Sequence, residues 1–140
     1  MSVPRNFGGG LGTQTAGLSF GGKTGSPETS TNATEEYNGS SWTAGGVLNT
    51  ARNVLAGAGL QTAGLAFGGN TGLGSGTTAV TEKYDGSSWT NTSSLANARS
   101  YIAGCGTQTS GLAFGGSPIP VNSTEEFTDT IDGTQIITTS

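Results

Sequence analysis

No histidine occurs among the 140 residues, and this absence restricts the chemistry more than any residue that is present. It removes the usual general base near neutral pH and the commonest metal ligand. It also leaves a serine triad without its proton acceptor, so no catalytic residues, metal site or cofactor are expected. The single cysteine, Cys105, rules out an intrachain disulfide and is expected to be a small core residue. Charge is scarce too, at 10% of residues against roughly 25% in ordinary soluble domains. The net charge is −4, and the five basic residues are scattered. Nucleic acid, which calls for clustered Lys and Arg, is therefore excluded as a partner. No apolar run is longer than about five residues, whereas a bilayer span needs about twenty. Met1-Ser2-Val3-Pro4 does not open a secretion signal. No membrane partner is expected, and cytoplasmic synthesis is.

Large hydrophobic side chains are also few. Only 31% of residues are hydrophobic and 26 are glycine, so the core must come from small residues and close backbone approach. The length suits a single domain. Disordered chains carry high net charge and few aromatics; here charge is low and the aromatics recur at fixed intervals.

What the chain does have is a repeat. Arg5, Arg52 and Arg99 lie 47 residues apart, as do the pairs Gly21-Gly22, Gly68-Gly69 and Gly115-Gly116. Each copy opens with an apolar, glycine-rich segment after the arginine. A second segment follows (TAGLSFGG, TAGLAFGG, SGLAFGG) in which leucine and phenylalanine alternate with small residues, as in a strand. After a polar loop of 11 residues come TEEY or TEKY, an Asn38-Gly39 or Asp85-Gly86 turn, and Trp42 or Trp89. Asn-Gly and Asp-Gly are the strongest short-range hairpin signals, because both central residues of the turn take positive φ. Four short antiparallel strands per 47 residues describe a propeller blade. The expected units are blade 1 over 5–50, blade 2 over 51–97 and blade 3 over 98–140. A β-trefoil monomer, also three repeats of four strands, is the alternative.

The order of arginine, two apolar strands ending in Gly-Gly, then Glu-x-Tyr, a turn and Trp resembles the kelch motif over nearly the whole chain. Gly68-Gly69, Glu82, Tyr84, Asp85 and Trp89 carry the resemblance most fully. The wording QTAGL(S/A)FGG with TE(E/K)Y(N/D)GSSWT is also similar to kelch-like repeats in phage and environmental sequences, which raises the expectation of a virion-associated component. Some kelch enzymes hold copper through imidazole and tyrosinate; this chain has no imidazole. Kelch-like propellers usually have six or seven blades. A chain with three would reach six with one copy of itself, so the resemblance implies a homodimer in which blade 3 of each chain meets blade 1 of the other.

The third copy departs from the pattern. Asp132-Gly133 keeps the 47-residue spacing from Asp85-Gly86, and Ile136 stands where Trp89 stood. A gapless alignment, the preferred one, makes Thr128-Asp129-Thr130-Ile131 the counterpart of TEKY. A shifted alignment gives that place to Thr124-Glu125-Glu126-Phe127, with a shorter loop before it and a longer hairpin after.

Residues that look functional mostly have a repeat explanation. Three arginines suggest a sialidase-type carboxylate clamp, yet equal spacing would spread them around a ring. They are expected instead to bond to strand carboxylates: Glu35, Glu82 and Asp129, or Glu125 in the shifted alignment. Trp42 and Trp89 suit sugar stacking, but their fixed place after the turn favours packing between blades. Glu35-Glu36 and Glu125-Glu126 are adjacent on strands and point to opposite faces, so neither pair can serve one glycosidase site alone. The glycine strings at Gly8–Gly10 and Gly57–Gly59 open no helix, and no Lys-Ser or Lys-Thr follows them, so they are not phosphate loops.

The loop between the second and third strands varies most. Its candidate ligand residues are Lys23, Thr24, Ser26, Glu28, Asn70, Thr71, Ser75, Ser117 and Asn122, since loops on a rigid scaffold are where recognition resides. The expected function is a non-enzymatic structural or recognition module that assembles with itself. The alternatives are a lectin-like propeller that binds glycan or protein through these loops, and a purely architectural component.

Overall fold

The computed structural model describes residues 1–72, 76–118, 122–129 and 135–139. Among the described residues it is built from three four-stranded antiparallel sheets, two of them made of consecutive strands and the first interrupted by a two-stranded hairpin. The first holds β1 (Gly9–Gly12), β2 (Gly17–Phe20), β5 (Thr34–Tyr37) and β6 (Trp42–Ala44). A small hairpin of β3 (Lys23–Thr24) and β4 (Thr29–Ser30) is inserted in its loop. The second holds β7 (Ala56–Leu60), β8 (Ala63–Phe67), β9 (Thr81–Tyr84) and β10 (Trp89–Thr92). The third holds β11 (Ala103–Gly106), β12 (Ser110–Phe114), β13 (Thr124–Asp129) and β14 (Gln135–Thr139). The architecture is β-propeller-like, with each sheet a blade.

The registers repeat with the sequence. Ala66 pairs with Glu82 in blade 2, Ser19 with Glu35 in blade 1, and Ala113 with Glu125 in blade 3. The third copy therefore takes the shifted alignment, which corrects the gapless expectation. Asp129 is not the partner of Arg99, and the strand position opposite Phe127 belongs to Ile137, not Ile136. Residues 130–134 of the gapless alignment lie outside the described residues. Only the shifted register places a carboxylate beside the buried guanidinium of Arg99, and an unpaired buried charge is far costlier than a displaced turn.

Blades meet along their innermost strands β1, β7 and β11. A Cβ on Gly57 would meet the Gly10 carbonyl oxygen at 3.1 Å, and one on Gly104 would meet the Gly57 carbonyl oxygen at 3.0 Å. Glycine is needed there because backbone packs on backbone. Two apolar clusters fill the spaces between blades. Leu18, Phe20, Leu48, Leu55, Ala66, Tyr84 and Trp89 lie between blades 1 and 2. Leu65, Phe67, Leu95, Ile102, Ala113 and Phe127 are their counterparts between blades 2 and 3.

Candidate functional site: arginine clamps, seams and the loop rim

Each repeat arginine is consumed inside its own blade. Arg52 is fully buried; its Nη1 donates to the carbonyls of Gly68 (2.6 Å) and Val80 (2.7 Å), and its Nη2 to Glu82 (3.1 Å). Arg5 holds Gly21, Ala33 and Glu35 in the same way, and Arg99 holds Gly115, Ser123 and Glu125. Burial pulls Arg52 down to about 10, with the Glu82 charge opposing the shift. Burial alone would raise Glu35, but the Ser2 donors and the Arg5 charge outweigh it and leave the carboxyl below its ordinary value. The clamps staple the segment before the first strand to the end of the second strand and the start of the third, each within its own blade. The Gly-Gly pairs sit at the same junctions in left-handed backbone, with φ of 63° and 96° at Gly21 and Gly22, 53° and 106° at Gly68 and Gly69, and 69° and 111° at Gly115 and Gly116.

The seams between blades are polar as well as apolar, and they too repeat. Gln61 donates from blade 2 to the carbonyls of Gly17 (3.0 Å) and Tyr37 (2.9 Å) of blade 1. Gln108 donates from blade 3 to Gly64 (3.2 Å) and Tyr84 (2.6 Å) of blade 2. The Gly22 and Gly69 amides donate to the carbonyls of Arg52 and Arg99 in the next blade. Two further contacts at the first seam have no counterpart at the second among the described residues: the Trp89 indole donates to Thr34 (3.0 Å), and the Tyr84 hydroxyl to Glu36 (2.5 Å). Burial, reinforced by Glu36, pushes Tyr84 up to about 12. At the second seam Phe127 replaces the tyrosine and Lys83 replaces Glu36, with Lys83 reaching Asp129 at 3.3 Å. No tryptophan stands there, and the Thr81 hydroxyl, counterpart of Thr34, is buried without a partner among the described residues.

At the two ends of the row the same positions are open. Gln14, the repeat counterpart of Gln61 and Gln108, is exposed, whereas those two are half-buried. Phe114 is 38% exposed, against 0% for Phe20 and Phe67. Trp42 is half-buried and rests on Tyr37 with ring centroids 5.0 Å apart, while Trp89 is enclosed. A Cβ on Gly115 would meet nothing within 4 Å, although one on Gly21 would strike the Arg52 carbonyl oxygen at 2.6 Å. Cys105 is exposed on the free face of blade 3, which corrects the expectation of a core residue. Its register counterpart Ala58 is buried because blade 3 covers it. An open groove on that face is lined by Gly111, Leu112, Glu126 and Phe127. Sequence reasoning passed over Gln14, Gln61 and Gln108, although their 47-residue spacing was a usable signal.

The variable loops begin at one rim. Bridges Asn6–Lys23, Asn53–Asn70 and Ser100–Ser117 tie their first residues to the residue after each repeat arginine. Lys23 and Thr24 lie in β3; Ser26 and Glu28 are exposed in the hairpin, and Glu28 accepts a bond from the Asn6 amide (2.6 Å). Thr71 bonds the Gly76 carbonyl, Asn122 is exposed, and Ser75 lies outside the described residues. One residue further on, Phe7, Val54 and Tyr101 have φ of 55°, 48° and 54°. Aromatic and β-branched residues are genuine outliers in that region. Among the described residues no group of three His, Cys, Asp or Glu is placed to hold a metal ion, and no helix is long and apolar enough to cross a membrane.

These blades define a β-propeller-like chain. It is similar to the structure titled "Structure of YjhT", with a TM-score of 0.78 and 13% sequence identity, over 97% of this chain and 46% of that one. The chain thus spans just under half the length of that neighbour, and the likeness is one of fold. No protein-family model and no curated protein sequence matches the chain.

Proposed function

We propose that the chain is a non-enzymatic structural and recognition module that closes a six-bladed propeller with a second copy, kelch-like in its arginine-glutamate clamps. The observation that carries the reading is the pair of open ends, which are the two halves of one more seam. Blade 3 offers the carbonyls of Gly111 and Phe127, and blade 1 of the other copy offers the exposed amide of Gln14. Leu112 and Phe114 face outward where Leu18 and Phe20 are enclosed, and Tyr37 and Trp42 stand open where Tyr84 and Trp89 are covered.

The polar residues sort in the same sense. Glu36 meets Tyr84 across the first seam, and its counterpart Lys83 meets Asp129 across the second, where Phe127 takes the place of the tyrosine. At the closing seam the exposed Glu126 would meet Tyr37, restoring the glutamate–tyrosine match, and Thr124 would receive the Trp42 indole. Two equivalent closing seams related by a two-fold axis complete the ring.

Light scattering across a dilution series tests the proposal. The expected mass is that of two 13.8 kDa chains, falling on dilution. A folded monomer at every concentration overturns it.

A further inference from the structure

We propose that the loop-rim mouth of this ring binds a neutral carbohydrate on two aromatic pairs, each formed by Tyr101 of one copy and Phe7 of the other. The inference rests on the two-copy reading, because neither chain alone brings these rings together.

Three observations meet at this place. First, Phe7, Val54 and Tyr101 occupy one repeat position and form a hydrogen-bonded chain from blade to blade. The Val54 amide donates to the Phe7 carbonyl (2.8 Å) and the Tyr101 amide to the Val54 carbonyl (2.9 Å). Closure continues the chain, with the Phe7 amide of the second copy on the Tyr101 carbonyl. The order around the mouth is then Phe7, Val54, Tyr101, and again. Second, all three hold left-handed backbone, which glycine or asparagine would adopt with less strain. Strain kept at a bulky residue marks a place where the side chain matters more than the backbone. Third, the aromatic side chains do not serve the core: Phe7 is 51% and Tyr101 68% exposed, while Val54, between them in the row, is 8% exposed.

The surroundings select the ligand class. Beside Phe7 lies an open pocket of about 330 Å³ lined by Arg5, Asn6, Lys23, Thr24 and Glu28, within the size range of small-ligand sites, and the Arg5 guanidinium there is already paired with Glu35. Lys23 Nζ stands 5.9 Å from the Phe7 ring centre. With the Arg5 charge met by Glu35, an amide, a hydroxyl, an ammonium and a carboxylate remain to supply donors and acceptors of both kinds, one charge of each sign. The C–H face of a pyranose stacks on an aromatic ring while its hydroxyls use such groups. An anionic or strongly cationic ligand would find one of the two charges opposed to it.

Calorimetric titration of the wild-type protein with cellohexaose, chitohexaose and maltohexaose, with light scattering on the same samples, tests the proposal. The variants are Phe7→Asn and Tyr101→Asn, which remove a ring while relieving the backbone. At least one oligosaccharide should bind, each variant should weaken binding tenfold or more, and the two-chain mass should persist. A two-chain mass with no binding by any of the three, or with binding that both variants leave intact, overturns the carbohydrate site alone. A one-chain mass overturns the two-copy reading and the composite site with it.

Discussion

Replacing Gln14 with alanine isolates the closing seam, because Gln14 is exposed in the single chain while its counterparts Gln61 and Gln108 each bridge two blades through two carbonyls. In the ring, Gln14 should donate to Gly111 and Phe127 of the other copy. Each hydrogen bond contributes about 0.5–1.5 kcal/mol net, so the substitution removes about 1–3 kcal/mol per seam. A two-fold dimer contains the seam twice, which gives about 2–6 kcal/mol per dimer. At about 1.4 kcal/mol per tenfold, dimerisation weakens by roughly 30-fold to 10⁴-fold. Sedimentation velocity over a concentration series reads this directly. Gln61→Ala removes the same chemistry from an internal seam and should lower folding stability by about 1–3 kcal/mol in urea titration while leaving the dimerisation constant nearly unchanged. A Gln14→Ala protein that dimerises like the wild type, alongside a destabilised Gln61→Ala, would refute the reasoning.

Gly115→Ala should keep the monomer folded at a left-handed strain of about 1–2 kcal/mol and abolish the dimer. Its Cβ would stand where the Arg5 carbonyl of the second copy arrives; an unchanged mass in light scattering would count against this. Cys105 should react with a maleimide in dilute protein and become protected as the concentration passes the dimerisation constant, as Ala58 is covered by blade 3; constant reactivity contradicts closure on this face. Arg52→Ala should cost about 3–5 kcal/mol by stranding the buried Glu82, read by denaturant unfolding. For Tyr84 the folded-state value lies above the unfolded one, so its hydroxyl keeps its proton longer in the folded chain. Its contribution is complete below about pH 10 and is lost as pH rises from about 10 to about 12. Tyr84→Phe should remove that alkaline step from a stability–pH curve.

The period, the four strands per blade and the arginine–carboxylate pairing were legible because each is a repeated local pattern. Arg52 with Glu82 and Arg5 with Glu35 follow from alternation along strands and a constant spacing. The third register is not legible in the same way, because seven residues, 117–123, replace the eleven of 23–33 and 70–80 before the third strand. A turn motif that kept its spacing outweighed a buried charge whose partner was ambiguous in the sequence. The energetics run the other way, since a solvated turn is tolerant of position and the Arg99 guanidinium is not. The β3–β4 hairpin was missed because its strands are two residues each. The left-handed Phe7, Val54 and Tyr101 gave no signal, because that conformation is expected of glycine and asparagine.

The uneven quality of the seams has a physical reason on the two-copy reading. The second seam has lost both the tryptophan and the tyrosine hydroxyl and leaves the Thr81 hydroxyl without a partner among the described residues, yet its blades are joined by the chain. Tethering sets an effective concentration that no contact has to supply. The closing seam has no tether and must also offset the entropy of association. The two aromatic groups missing from the second seam, Tyr and Trp, are present at the open face of blade 1 as Tyr37 and Trp42. Grafting the weak seam onto the closing position tests this. Tyr37→Phe with Glu126→Lys exchanges a glutamate–tyrosine match for the residue types at those positions of the second seam, where Lys83 pairs with Asp129 and no tyrosine hydroxyl is present. It should leave the monomer's unfolding nearly unchanged and shift dimerisation to higher concentration by at least tenfold. Equal dimerisation by the wild-type and grafted proteins would show that the polar match does not govern closure.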